Sequence, residues 1–185
     1  MKQKQNKSKH KKTWIWPLIV FILAISLSLL FSITSELVLS KSTIIIAIIV
    51  IFIFIAIAIL TDMIGLAVAS ANTEDFNAMA ARKVKGSKQA ISLVRNADKV
   101  SSVLNDVIGD VCGILSGAAG ASIVAKIAID NGGNFMAILI PSLIAAIIAG
   151  LTIGGKAMLK RIAIRHANSI TLSFAKFINF FTRKG

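Results

Sequence analysis

Residues 43–71 form a run that is apolar from end to end, interrupted only by Thr61 and Asp62. As a helix this stretch would be roughly 43 Å long, well beyond a hydrocarbon core of about 30 Å. It must tilt, break or continue along an interface, and Gly65 offers a break point. Three more apolar runs, 16–33, 103–129 and 135–155, are each long enough to cross a bilayer. With 56% hydrophobic residues and a mean hydropathy of +0.81, a soluble domain of this length could not hide its apolar surface in one core. The expected fold class is an all-α membrane protein with four transmembrane helices plus amphipathic juxtamembrane helices. A signal peptide is the competing reading of the first run, because a basic start precedes it. The run is longer than a usual signal core, and no small-residue cleavage site with a soluble domain behind it is evident.

The chain divides accordingly. Residues 1–12 are a basic tail with six lysines and no apolar periodicity, expected to be disordered. Residues 13–42 hold the first span and an outer loop, with Trp14 and Trp16 where amphipathic rings favour the interface. Residues 43–160 carry three spans, with juxtamembrane helices at about 73–101. There Phe76, Met79, Ala80, Val84, Ile91, Val94 and Ala97 recur at helical spacing among lysines and arginines, as in helices lying on a membrane surface. Asn72 can cap the first of these, with Glu74 and Asp75 in its first turn, and Gly86-Ser87 can close one helix and open the next. Residues 130–134 read as a turn. Residues 161–185 are basic and amphipathic, with Ile170, Phe174, Phe177 and Phe181 as the apolar stripe.

Net charge is +13, with 21 Lys and Arg against 8 Asp and Glu. The basic tail holds 6 of these cations, the segment at about 73–101 another 6 and the stretch after Gly155 the next 7, while the two short outer loops hold almost none. Lys41 lies in one loop, and Lys126 can snorkel toward the other. The positive-inside rule then puts both termini in the cytoplasm of a bacterial-type cell membrane, with the chain multi-pass. Blocks of cations at membrane boundaries point to the lipid bilayer and anionic lipid headgroups as partners, not to nucleic acid. Cys112 is the single cysteine, so no intrachain disulfide forms.

Polar groups at lipid depth are the candidate site. Asp106 and Asp110 are four apart and share a helix face, with Asn105 beside them. If the span enters lipid near Val100, Asp110 sits roughly 15 Å in, about half the core thickness. A carboxylate there costs about 2.5–3.5 kcal/mol on insertion scales, so it should face a cavity, a bundle interior or a cation. Asp62 lies at a depth that Asp106 could match. Three carboxylates and an amide are hard oxygen donors, suited to magnesium or calcium. The bland alternative is that a protonated Asp bridges helices, and that Asp106 sits at the interface paired with Lys99 or another lysine. Gly109, Gly113, Gly117 and Gly120 suggest close helix packing or a homodimer seam. Pro141 and Gly154-Gly155 could break the last span. No enzyme signature is present; His10 and His166 fall in basic surface segments, and no phosphate-binding glycine loop or zinc-ligand cluster occurs. No cofactor is expected beyond Mg2+ as a bound or transported ion.

The stretch Gly65-Leu-Ala-Val-Ala-Ser-Ala-Asn72, the basic segment after it and Lys85-Gly-Ser-Lys-Gln-Ala-Ile-Ser-Leu-Val-Arg-Asn-Ala-Asp-Lys99 resemble the transmembrane domain of the CNNM/CorC (CorB) family of magnesium-transport proteins. The similarity covers about 62–160. Ala67 to Ser70 stand for the family's Ser-Glu-x-Ala-Leu-x-Ser signature, Asn96-Ala97-Asp98-Lys99 for Asn-Pro-Asp-Arg, Ile108-Gly109-Asp110 for Ile-Gly-Asn-Asn, and Gly154-Gly155-Lys156 through Lys160 for Gly-Glu-x-x-Pro-Lys. The resemblance implies three spans with surface helices, often dimeric, and magnesium transport. The family continues into cytoplasmic CBS domains, which the roughly 30 residues after span four cannot supply. Its acidic positions fall on Gly65 and Gly155, and its serine on Ile64. The expectation is therefore a relocated divalent cation site between spans two and three, made by Asp62, Asn105, Asp106 and Asp110. The alternative is a non-transporting membrane scaffold or a small holin-like pore-forming protein.

Overall fold

The second apolar run is the axis of the molecule. In the computed structural model, which describes residues 2–40, 43–128 and 136–182, it forms one unbroken helix, α2 (Ile44–Ser70). Gly65 does not break it. Lipid offers no partner for freed backbone groups, so an intact ladder outweighs the weak helix preference of one glycine. The excess length is absorbed at the C-terminal end of α2, beside the juxtamembrane helices.

Around α2 stand α1 (Lys2–Ser40), α6 (Asp110–Ala128) and α7 (Met136–Arg165). The helices hold four candidate spans, Trp16–Thr34, Ile44–Ser70, Ala97–Ala121 and Ser142–Arg165. The chain is thus all-α and multi-pass by length and composition. At one end of α2, Ala47, Ile51 and Ile55 pack with Ala119 and Ile123 of α6 and Ile148 of α7. Lipid tails are as apolar as these side chains, so close contact rather than water exclusion holds the cluster, and the alanines let the backbones approach. Contacts of α1 run to α6 and to the segment before it.

Three expectations change here. The basic tail is helical: α1 starts at Lys2, because Lys and Gln extend an existing helix at little cost. Pro141 lies inside α7 and does not end it, just as Pro17 lies inside α1. Gly154 and Gly155 also leave α7 intact through Arg165. The proposed turn at 130–134 and Lys41 lie outside the described residues, as do the side chains of His10, Trp14, Lys126 and Phe181.

A juxtamembrane layer covers one end of the spans. It consists of α3 (Thr73–Ala81), α4 (Ser87–Arg95) and α8 (Ala167–Thr182), and α5 (Ala97–Ser102) leads from it into the third span. Asn72 caps α3 as its position suggested, its side chain accepting from the Glu74 N–H at 3.0 Å. Phe76, Ala90 and Ala175 are the fully buried centre where α3, α4 and α8 meet. Asn168 fastens α8 to the start of α3. It accepts from the Asn72 N–H at 2.9 Å and donates to Asp75.

Candidate functional site

Between α5 and α6 the chain widens into a π-helical segment, Val103–Gly109. Such segments are uncommon and concentrate at functional sites. Leu104 and Val107 are buried within it, and Gly109 lies flat against α2. A side chain at Gly109 would come 3.4 Å from Thr61 Oγ1 and 3.5 Å from the Ala58 carbonyl. The Thr61 hydroxyl donates within its own helix, to Ile57 O at 2.8 Å and Ala58 O at 3.2 Å.

The segment sends its polar residues to two sides. Asn105 goes to α2, where its carboxamide fills the space above Gly65, so that even a methyl group there would overlap it. Its Oδ1 is buried without a hydrogen-bond partner among the described residues. Asp106 and Asp110 go to α1. They line a cavity of about 680 Å³ together with Ser28 and Ser32, which are also four apart on their helix. Phe21, Ile114 and neighbouring apolar side chains form the rest of its wall.

Both carboxylates have partners. Asp106 Oδ2 accepts from Ser102 Oγ at 2.8 Å. Asp110 Oδ1 accepts from Lys156 Nζ of α7 at 3.3 Å. Asp110 keeps 63% of its side-chain surface exposed against 25% for Lys156, so its free oxygen remains open to a ligand. Lys99 does not pair with Asp106; its ammonium sits 5.0 Å from the Trp16 ring centroid and ties the start of the first span to α5.

The expected meeting of Asp62 with Asp106 and Asp110 does not occur. Asp62 is half-buried on α2 and does not line the cavity. Among the described residues no three His, Cys, Asp or Glu side chains come together. The reason is rotational. Thr61 and Gly65 take the contact with the π segment, and Asp62 is turned about 100° from Thr61. The oxygen-bearing side chains that share the cavity are two carboxylates of the third span and two serines of the first. These hard oxygens suit a divalent cation that keeps part of its water shell.

Ser28 and Ser32 are not among the residues the sequence marks, and Lys156 enters there only within the stretch likened to Gly-Glu-x-x-Pro-Lys. The paired serine spacing and a lysine at the end of the last apolar run are the available signals. Positions 65 and 155, where the resemblance would require acids, are both closed. Asn105 occupies the first and Ile59 the second, each leaving no room for a side chain. The glycine series on span three also divides. Gly109 is packed, Gly120 lies against Ile148, and Gly113 and Gly117 have open space where a side chain would start. No family model, curated protein or solved structure matches the chain.

Proposed function

We propose that this protein binds a divalent cation, magnesium, at Asp106 and Asp110, and moves or senses it across a bacterial cytoplasmic membrane. The observation that carries the reading is Asp110, paired with Lys156 through one oxygen and lining a cavity that also presents Asp106, Ser28 and Ser32. Lys156 acts as a tethered counter-charge. A cation reaching the cavity competes with it for Asp110, so occupancy loosens α7 from the third span. Magnesium usually takes only one or two carboxylates and retains several waters, which suits this sparse donor set. The resemblance of 62–160 to the CNNM/CorC transmembrane domain supports the same cation. The distribution of Lys and Arg supports cytoplasmic termini. Open space at Gly113 and Gly117 leaves room for a second copy's helix, in keeping with a homodimer.

Thermal unfolding of the detergent-purified protein against magnesium, calcium and sodium tests this. A site bound only in the native state stabilises by RT ln(1 + [L]/Kd), about 1.4 kcal/mol at tenfold saturation. Magnesium should raise Tm, Asp110→Asn should abolish the rise, and Lys156→Gln should move it to lower concentration. A flat response to all three ions would overturn the proposal.

The second reading is a scaffold or small pore former that keeps the fold without transport. Neutralisation of Asp110 by Lys156, and the closure of positions 65 and 155, favour it. Dye leakage from cells expressing the chain would single out the pore former.

A further inference from the structure

The turn between α3 and α4 concentrates charge in a fixed shape. Its sequence, Arg82-Lys83-Val84-Lys85-Gly86-Ser87-Lys88, carries four cations in seven residues. Backbone hydrogen bonds from Lys83 to Ala80 O and from Val84 to Met79 O, each 3.0 Å, fold it tightly. Lys83 and Gly86 take positive φ, +56° and +87°. The Ser87 hydroxyl donates back to Val84 O at 2.7 Å. From the third side α8 closes the turn. Gln89 Nε2 donates to Asn179 Oδ1 at 3.0 Å, and Lys176 lies so close to Gly86 that a side chain there would meet its Cγ at 2.8 Å.

The result is a cavity of about 540 Å³, lined by Lys83, Lys85, Lys88, Gln89 and Asn179, with Ala80 and Val84 as an apolar wall. Among the described residues no acidic side chain lines it. The ion pair found among the described residues, Lys156–Asp110, lies elsewhere. The acids of α3, Glu74 and Asp75, are in its first turn, at the opposite end of the helix from this turn. The Gln89–Asn179 bond also leaves amide N–H groups on both side chains to donate.

The position of the cavity names its ligand. Two residues separate α2 from α3, and one separates α7 from α8. The layer is therefore held at the ends of spans, where bilayer phosphates lie. We propose that this cavity binds the phosphate of an anionic phospholipid. The three lysines supply charge, the Gln89 and Asn179 amides supply directed hydrogen bonds, and Ala80 and Val84 meet the start of the lipid's apolar part. This site stands independently of the cation reading.

The test uses the full chain in phosphatidylcholine nanodiscs with and without phosphatidylglycerol, with retained lipid counted by native mass spectrometry. Lys83→Gln/Lys85→Gln/Lys88→Gln is compared with Lys160→Gln/Arg161→Gln/Arg165→Gln, which removes equal charge from the end of α7. The cavity variant should lose phosphatidylglycerol by about fivefold per lysine, and the α7 variant much less. Equal losses would show diffuse attraction and overturn the proposal. Inorganic phosphate is the third arm. If it stabilises the protein in phosphatidylcholine alone, and the cavity variant abolishes this, the ligand is free phosphate and the lipid assignment falls. Should the triple variant fold poorly, Lys85→Gln and Lys88→Gln singly carry the same comparison, since both side chains are exposed.

Discussion

Asn105 shows how one residue can decide the contact between two spans. Its buried Oδ1 has no partner among the described residues, an arrangement that costs about 1–3 kcal/mol. It is tolerated because Gly65 leaves a notch that the carboxamide fills. Gly65→Ala should therefore lower stability by about 1–3 kcal/mol through overpacking. Asn105→Ala in the same chain should recover most of that loss, since it removes both the clash and the orphan oxygen. Thermal melts of the two variants check this, and an additive double variant would mean that the two residues do not meet. Sequence alone marked Asn105, Asp106 and Asp110 as polar groups at lipid depth, and their spacing correctly put the two acids on one face. It could not show that Asn105 turns the other way, because a π-helical segment leaves no pattern in residue type. Nor could it join Ser28, Ser32 and Lys156 to the acids, because they stand on other spans, Lys156 being 46 residues from Asp110.

At the scale of elements, the local chemistry of helix ends was legible and their long-range fastening was not. Asn72 as a cap and Gly86 as the turn residue follow from side-chain size and hydrogen-bonding reach within a few positions. The role of Asn168 does not, since its partners Asn72 and Asp75 lie more than ninety residues earlier. Asn168→Ala removes both bonds and should cost about 1–3 kcal/mol, given that one of them involves a carboxylate. Hydrogen exchange should then speed up across α8 and the start of α3, while amides in the α2–α6–α7 cluster stay protected. Uniform loss of protection would show that the layer and the spans open as one unit. Glycine and proline were the least reliable guides. Gly65, Pro141 and the Gly154-Gly155 pair all read as breaks, yet in a bilayer the backbone has nowhere else to bond.

For the whole molecule, hydropathy carried most of the architecture, while the counts of Lys and Arg bear on its orientation. Four apolar runs gave four helices of sufficient length, and the same counts give a topology that can be checked directly. In a Cys112→Ser background, Ser8→Cys and Asn77→Cys should react with a membrane-impermeant thiol reagent only after the cells are opened. Asn131→Cys should react from outside in intact cells. The reverse pattern would invert the orientation and move the proposed lipid and cation sites to the other face. The bond between Asp110 and Lys156 also bears on how the chain is made. A charged residue alone burdens its segment during insertion, by about 2.5–3.5 kcal/mol at the helix centre and less toward the interface, and each of these two relieves the other once both have emerged from the ribosome. The third segment should therefore wait beside the translocon for the fourth, and the two should leave into lipid together as a hairpin.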